Sequence, residues 1–127
     1  MKAEHSVDDL LTPPNDAEVD RAVNDYARAI RQAYGHMLKG IYLFGSRARG
    51  DHNRESDADI AVVLADGDWK KWPETKRLSD IAYDIIVATG AGIQGWVVRE
   101  SEWNDPSRHK NPALVTAMRR DGRPIGS

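Results

Sequence analysis

Two short apolar runs on either side of a polar, glycine-containing segment constrain this fold more than any other feature of the chain. The runs are residues 41–44 (Ile-Tyr-Leu-Phe) and residues 60–64 (Ile-Ala-Val-Val-Leu). Their length and their β-prone residues favour two buried strands. Residues 93–98 are a third strand candidate. Residues 45–56, which are polar and charged, predict a turn, one helical turn and a loop between the first two strands.

Helical spacing of apolar residues occupies three other stretches. Asn15 and Glu18 form a capping-box pattern at the start of the first, which is predicted to run as a long amphipathic helix to about Tyr34. Pro73 opens a second helix, and Asn111 caps a last short one. The order helix, strand, strand, helix, strand, helix predicts an α/β (α+β) fold with one small sheet.

A single domain accounts for this pattern, because 127 residues contain no repeat and no linker. Residues 1–14 lack periodicity and predict a loosely ordered N-terminal arm, followed by one domain over residues 15–127. Residues 99–110 are predicted to form a charged loop.

Composition excludes several classes of protein. The chain has no cysteine, which excludes disulfides and thiolate zinc sites. Its net charge is −2, its mean hydropathy is −0.63, and no apolar run approaches the roughly 20 residues that cross a bilayer. We therefore expect a cytoplasmic protein without membrane contact. A mildly acidic chain also lacks the Lys and Arg excess that extended nucleic-acid binding requires.

The polar segment after the first strand carries half of the candidate site. Gly45 and Ser46 place backbone N–H groups and a hydroxyl where a bound phosphate can approach closely. Arg47 and Arg49 add charged donors suited to phosphate oxygens. These four residues are the predicted nucleotide-binding set.

Two carboxylates at the entry of the second strand carry the other half. Asp57 and Asp59 are two positions apart, so along a strand their side chains share one face. Their mutual repulsion is relieved when a divalent cation lies between them, and Mg²⁺ favours one or two carboxylates together with substrate phosphates. Asp57 and Asp59 are therefore the predicted metal ligands and catalytic residues.

Each feature also has an ordinary structural interpretation. A Gly-Ser turn is usually only a turn, and an Asp-x-Asp pair is usually a solvated strand entry. The arginines pair equally well with Asp51 and Glu55 on the surface, where ion pairs contribute little. The occurrence of all these features within one short segment favours a functional site.

The spacing resembles a known pattern. Gly45-Ser46, ten intervening residues and then Asp57-Ala58-Asp59 is similar to the Gly-Ser-x10-Asp-x-Asp motif of the DNA polymerase β nucleotidyltransferase superfamily. Within this superfamily, the chain resembles the minimal nucleotidyltransferases in its sequence Gly-Ser-Arg-Ala-Arg-Gly and in its length. The resemblance covers residues 41–100. The resemblance implies a mixed sheet flanked by helices, with Gly45 and Ser46 on the triphosphate of ATP and Asp57 and Asp59 on one or two Mg²⁺ ions.

The same resemblance implies a partner protein. Many minimal nucleotidyltransferases are antitoxins of HEPN-domain toxins, and some transfer AMP to a tyrosine of the toxin. The first hypothesis is therefore a protein adenylyltransferase, and the second is a nucleotide-binding antitoxin that silences a HEPN ribonuclease by binding it. A third hypothesis is an adenylyltransferase for a small molecule such as an aminoglycoside. It is less favoured, because such enzymes normally carry an additional helical domain that holds the acceptor, and 127 residues are not expected to accommodate one.

The chain departs from the family pattern at one position that bears on the choice between the first two hypotheses. Catalytic relatives usually carry a third carboxylate on the next core strand, whereas residues 93–98 contain no acid and place Gln94 in that region. Surface roles are expected for Asp84, Glu100 and Glu102. Loss of a general base lowers a rate by about 10²–10⁴-fold, so the departure bears on catalysis more than on nucleotide binding.

The tryptophans raise a separate question. Trp69 and Trp72 flank two lysines in a predicted surface segment. Exposed tryptophans are typical of interaction surfaces, and the equal alternative is that they cover the core from outside.

Overall fold

The computed structural model describes residues 12–126, so most of the predicted arm over residues 1–14 lies outside the described residues. The helices are α1 (Asp16–Tyr34), α2 (Ser46–Arg49), α3 (Lys71–Thr89), α4 (Glu100–Asn104) and α5 (Pro112–Asp121). The strands are β1 (Leu38–Phe44), β2 (Ala58–Leu64), β3 (Ile93–Arg99) and β4 (Arg123–Pro124), and 3₁₀ turns cover Gly35–Met37 and Pro106–Arg108.

The strands form one mixed sheet in the order β3-β2-β1-β4. β1 pairs antiparallel with both β2 and β4, and β2 pairs parallel with β3. The parallel pair requires a crossover, which α3 supplies. The predicted mixed sheet flanked by helices is confirmed.

The main core lies between one face of the sheet and the two long helices. Alternate residues of β2, including Ile60 and Val62, are fully buried against α1 and α3. The predicted capping box is present, because Asn15 accepts from the Glu18 amide and the Glu18 carboxylate accepts from the Asn15 amide, both at 2.9 Å. Such a cap fixes where α1 begins and therefore where its apolar stripe meets the sheet.

A smaller cluster covers part of the opposite face. Phe44, Ala61, Val98 and Met118 are buried there, with partly buried aromatic residues packed around them. Alternation along the strands assigns Asp59 to this face of β2, together with Ala61. This face is covered by short elements over part of its length, which leaves one end of the sheet open.

Residues 99–110 are not the predicted loop. They contain α4 and a 3₁₀ turn, and Glu102 at the third position of α4 is buried rather than on the surface. It forms an ion pair of 2.7 Å with Lys71 and accepts the Arg99 amide at 2.9 Å. The sequence did not indicate this helix, because five residues are too few to show helical periodicity. It did not indicate the burial of Glu102 either, because the lysine that neutralises this side chain is distant in the chain.

The two tryptophans of the predicted surface segment differ in their exposure. Trp69 is half-buried, donates to the Ala65 carbonyl at 2.8 Å and lies against the Arg99 guanidinium. Trp72 is 72% exposed.

No helix within residues 12–126 combines the length and apolar character needed to span a membrane.

Candidate nucleotidyl-transfer site

The Gly45 turn joins β1 to α2 and has a conformation that requires glycine. Gly45 has φ +79° and ψ −158°, a combination that side chains with a β-carbon scarcely adopt. A β-carbon placed there would lie 2.8 Å from Oδ2 of Asp59. The turn therefore brings the backbone directly against a site carboxylate, and Ser46 begins α2 next to it.

The two predicted carboxylates lie at one end of the parallel strand pair. Asp57 precedes β2 and Asp59 is its second residue, in register with Phe44 of β1 and Gln94 of β3. Asp57 is exposed, and a β-carbon on Gly92 would overlap its Oδ1 atom. Each carboxylate is thus bordered by a glycine whose missing side chain leaves room for it.

Asp59 is the more enclosed carboxylate of the two. Its Oδ1 accepts a hydrogen bond from the Trp96 indole Nε1 at 3.3 Å. Burial raises the pKa of the Asp59 carboxyl, the Trp96 hydrogen bond opposes that rise, and the nearby Asp57 charge adds to it. The anion is therefore held in a setting that a counter-charge would stabilise.

Arg47 is buried and organises the loop between α2 and β2. Its side chain is 5% exposed, and its guanidinium donates to the carbonyls of Ser56 at 2.8 Å and of Asn53 and Arg54 at 3.3 Å each. It also pairs with Asp16 at 3.3 Å. The predicted phosphate contact of Arg47 stays a prediction, since these donors hold the chain that leads into Asp57.

Asp16 at the start of α1 connects the helix to the same loop. It lies 3.1 Å from Nε2 of His52 as well as 3.3 Å from Arg47. The His52 hydrogen bond is the main cause that lowers the pKa of Asp16, and Arg47 lowers it further. Sequence reasoning missed this anchor, because Asp16 is 30 residues or more from both partners along the chain.

Arg49 is more available than Arg47. Its side chain is 43% exposed, and it pairs with Asp51 at 3.2 Å and with Asp121 at 3.1 Å. The Asp121 pair connects α2 to the end of α5, so Arg49 links the helical turn after Gly45 to the C-terminal helix. Its predicted phosphate contact also remains a prediction.

Among residues 12–126, no third carboxylate joins the pair. Gln94 lies in register with Asp59 and is exposed, so the amide occupies the strand position where a third acid would stand beside Asp59. Within residues 12–126, no group of three or more acidic or histidine side chains is placed to hold a metal ion.

A cleft of about 670 Å³ opens beside Asp57. The N-terminal segment at Pro13, the loop at Arg54 and the backbone at Gly92 form its walls. The cleft reaches Asp57, and its lining includes neither Gly45 nor Asp59.

Residues 23–105 match the profile of the nucleotidyltransferase domain family. This segment contains the Gly45 turn, both carboxylates and Gln94. The chain belongs to the nucleotidyltransferase domain family. The chain is therefore a nucleotidyltransferase, as the sequence pattern predicted.

Relatives of this nucleotidyltransferase come from Methanocaldococcus jannaschii. One, named as a putative protein adenylyltransferase, is 43% identical over 95 residues, which cover 72% of this chain and 88% of the relative. A second relative with the same kind of name is 29% identical over 77 residues, covering 56% of this chain and 76% of its own length.

Solved structures share the fold of this nucleotidyltransferase. A crystal structure of a protein from Sulfolobus solfataricus, named as a putative nucleotidyltransferase, matches with a TM-score of 0.56 and 22% identity, over 75% of this chain and 77% of that one. A toxin–antitoxin crystal structure with AMP-PNP matches with a TM-score of 0.51 and 22% identity, over 82% of this chain and 73% of that one. At this identity, the likeness confirms the fold.

The donor set of the nucleotidyltransferase fits a divalent cation. Asp57 and Asp59 supply hard carboxylate oxygens of the kind that Mg²⁺ binds, and Oδ2 of Asp59 faces the Gly45 turn rather than a protein cation. Among residues 12–126, neither carboxylate forms a salt bridge, which leaves their negative charge available to a metal. The fit rests on this unneutralised pair.

Proposed function

We propose that this nucleotidyltransferase transfers AMP from ATP to a hydroxyl group of a partner protein. The observation that supports the proposal is the proximity of Oδ2 of Asp59 to the Gly45 turn, where an added β-carbon would lie 2.8 Å from it, because a carboxylate beside this turn can share a divalent cation with phosphate oxygens bound there. The name of the 43% identical relative supports a protein as the acceptor.

Asp57 and Asp59 would hold Mg²⁺ at this site. When bound, the metal neutralises the triphosphate and polarises the phosphorus under attack. Gly45 admits phosphate oxygens close to the backbone, and the Ser46 hydroxyl is available to donate to one of them. The hydrogen bond from the Arg47 guanidinium to the Ser56 carbonyl holds the residue before Asp57 against α2, which follows that turn.

The transfer itself exchanges one phosphorus–oxygen bond for another. The acceptor oxygen forms a bond to the α-phosphorus of ATP, the bond from that phosphorus to the α,β-bridging oxygen breaks, and pyrophosphate leaves with the bonding pair. The acceptor hydroxyl loses its proton. Because Gln94 is an amide and accepts no proton at neutral pH, that proton passes to solvent or to a base of the partner.

The partner in this proposal is a HEPN-domain toxin modified on a tyrosine, and the chain is its antitoxin in the cytoplasm. The toxin–antitoxin crystal structure with AMP-PNP, which has the same fold, supports a nucleotide-binding antitoxin. The cleft beside Asp57 offers the acceptor a route to the site that does not cross the Gly45 turn.

A second candidate function is silencing by binding alone. It is favoured by Gln94 standing in register with Asp59, since a site with two carboxylates and no third acid binds Mg·ATP better than it activates a hydroxyl. In this case the chain is a nucleotide-binding antitoxin that occludes the toxin.

The experiment replaces both carboxylates by their isosteric amides. Asp57→Asn with Asp59→Asn should abolish the Mg²⁺-dependent rise in melting temperature that ATP produces, because a ligand that binds only the folded state stabilises it by mass action. Asp68→Asn with Asp84→Asn removes the same charge from exposed positions away from the site and should leave that rise intact.

Mass spectrometry of the co-expressed toxin then separates the two functions. Transfer adds one or more adenylyl groups to a toxin tyrosine with wild type and none with the Asp57/Asp59 variant. Equal toxin neutralisation by both proteins, with an unmodified toxin, would establish occlusion. An ATP shift that persists in the Asp57/Asp59 variant would refute the metal site itself.

A further inference from the structure

The carboxylate of Asp59 has two chemically different oxygens in this fold. Oδ1 accepts the Trp96 indole N–H at 3.3 Å, while Oδ2 is the atom that a β-carbon on Gly45 would approach to 2.8 Å. One oxygen is therefore bound to the protein and the other faces the phosphate turn. Within residues 12–126, no other side chain donates a hydrogen bond to this carboxylate.

Trp96 is itself held by the strand that carries the turn. Its ring meets Phe44 edge to face, with centroids 6.3 Å apart at 66°. Phe44 pairs in register with Asp59 and immediately precedes Gly45. The indole is thus fixed relative to both the carboxylate and the turn, and an edge-to-face pair of this kind has a preferred geometry.

The chemistry of the indole limits what Trp96 can do. Its Nε1 is a hydrogen-bond donor only, so it neither binds a cation nor accepts a proton. It can, however, fix the rotamer of the carboxylate beside it. Gln94 is nearer to Asp59 in strand register but is exposed and donates nothing to it.

We infer that Trp96 is a positioning residue, whose indole N–H orients Asp59 so that Oδ2 faces the Mg²⁺ of bound Mg·ATP. This inference rests on the proposed function, because it assumes that Asp59 is a metal ligand. Residues that orient a metal ligand in this way typically change metal affinity by about 10–100-fold when they are replaced. The ordinary alternative is that Trp96 only fills space against Phe44.

Two matched substitutions distinguish these roles. Trp96→Phe keeps an aromatic ring and removes the N–H donor. Trp103→Phe makes the same change in the same apolar cluster, where Trp103 stacks on Tyr42 at 4.5 Å and donates no hydrogen bond to Asp59. Calorimetric titration with Mg²⁺ and a non-hydrolysable ATP analogue should show about 10–100-fold weaker binding for Trp96→Phe and an unchanged affinity for Trp103→Phe.

A spectroscopic measurement tests the hydrogen bond without any substitution at Trp96. In a ¹H–¹⁵N spectrum, the Trp96 indole resonance should move when Mg²⁺ and the analogue are added, because the charge on its acceptor changes. It should also move in the Asp59→Asn variant. The Trp69 indole donates to the backbone carbonyl of Ala65 at 2.8 Å, so its resonance should stay in place and serve as the internal reference.

The outcomes separate this inference from the function beneath it. Equal affinity of Trp96→Phe and wild type, or a Trp96 resonance that does not respond to Mg²⁺ and the analogue, overturns the positioning role and leaves the proposed function standing. Equal weakening by Trp96→Phe and Trp103→Phe assigns the effect to packing and also overturns it. If wild type binds the analogue without any dependence on Mg²⁺, the proposed function fails first.

Discussion

Replacing Gly45 by alanine tests the central contact of the site with a single methyl group. Two penalties coincide at this position: the backbone has φ +79° and ψ −158°, and the new β-carbon would lie 2.8 Å from Oδ2 of Asp59. Gly50 provides the matched control, since its φ is +87° but a β-carbon there meets nothing within 4 Å. Both variants strain a backbone of positive φ, Gly45→Ala in the more restricted conformation, and only Gly45→Ala also brings a β-carbon against Asp59.

The magnitudes follow from these two observations. Strain at Gly50→Ala should destabilise the fold by about 1–2 kcal/mol. Gly45→Ala adds a conformation that is nearly exclusive to glycine, at about 1–3 kcal/mol. Displacement of Asp59 from its charge-assisted hydrogen bond adds about 1.5–3 kcal/mol. The entropy that alanine removes from the unfolded chain is common to both variants and cancels in the comparison.

The assay combines thermal unfolding with ligand titration. At this chain length a loss of 1 kcal/mol lowers the melting temperature by about 3–5 °C, so Gly45→Ala should melt well below Gly50→Ala. Titration with Mg²⁺ and ATP should show a clear loss of affinity in Gly45→Ala and an affinity near wild type in Gly50→Ala. Should the two variants melt together and bind Mg·ATP equally, the reasoning that places Asp59 against the Gly45 turn is wrong.

Two further predictions concern residues that support the site and the fold. Arg47→Ala should lower the free energy of unfolding by about 2–4 kcal/mol in urea unfolding, because three partly buried carbonyls lose a charged donor, and titration should show weaker Mg·ATP binding. Arg54→Ala is the control, because the Arg54 side chain is exposed and donates to the Pro13 carbonyl; it should change neither quantity. At Glu102, burial raises the pKa, but the hydrogen bonds from Lys71 and the Arg99 amide outweigh it and lower the pKa below its usual range. The ion pair therefore stabilises the fold fully at pH values above the pKa of Glu102 in the unfolded chain, which is about 4.3. This stabilisation is lost as the pH falls through the lower pKa of the folded state. Glu102→Gln should thus be less stable than wild type at neutral pH by about 1–3 kcal/mol, with the difference shrinking under acid; a difference that is constant with pH would contradict the role of the charge.

Local signals in the sequence predicted the elements that build the site. The Asn15 capping box starts α1 where it was expected, and the apolar runs at residues 41–44 and 60–64 lie within β1 and β2. The Gly-Ser turn does continue into a helical turn, α2. These predictions succeeded because each rests on the chemistry of residues within a few positions of one another.

Contacts between distant segments were beyond that reach. The sequence contained no sign that Glu102 would be buried, because its partner Lys71 is 31 positions away. For the same reason, the sequence did not indicate that the Arg47 guanidinium would bond to the Ser56 carbonyl and pair with Asp16. The short strand β4 was also missed, since two residues carry no pattern of their own.

The sequence by itself determined the order of the long helices and of the first three strands, the glycine turn after β1 and the presence of two closely spaced carboxylates, all of which depend on local spacing. Only the tertiary structure decided that Asp59 has one oxygen on Trp96 and one toward Gly45, and that Gln94 stands beside it on β3. The physical reason is strand register. Pairing of β2 with β1 and β3 is set by burial of whole faces of the sheet, and it alone determines which side chains of separate strands meet at its open end.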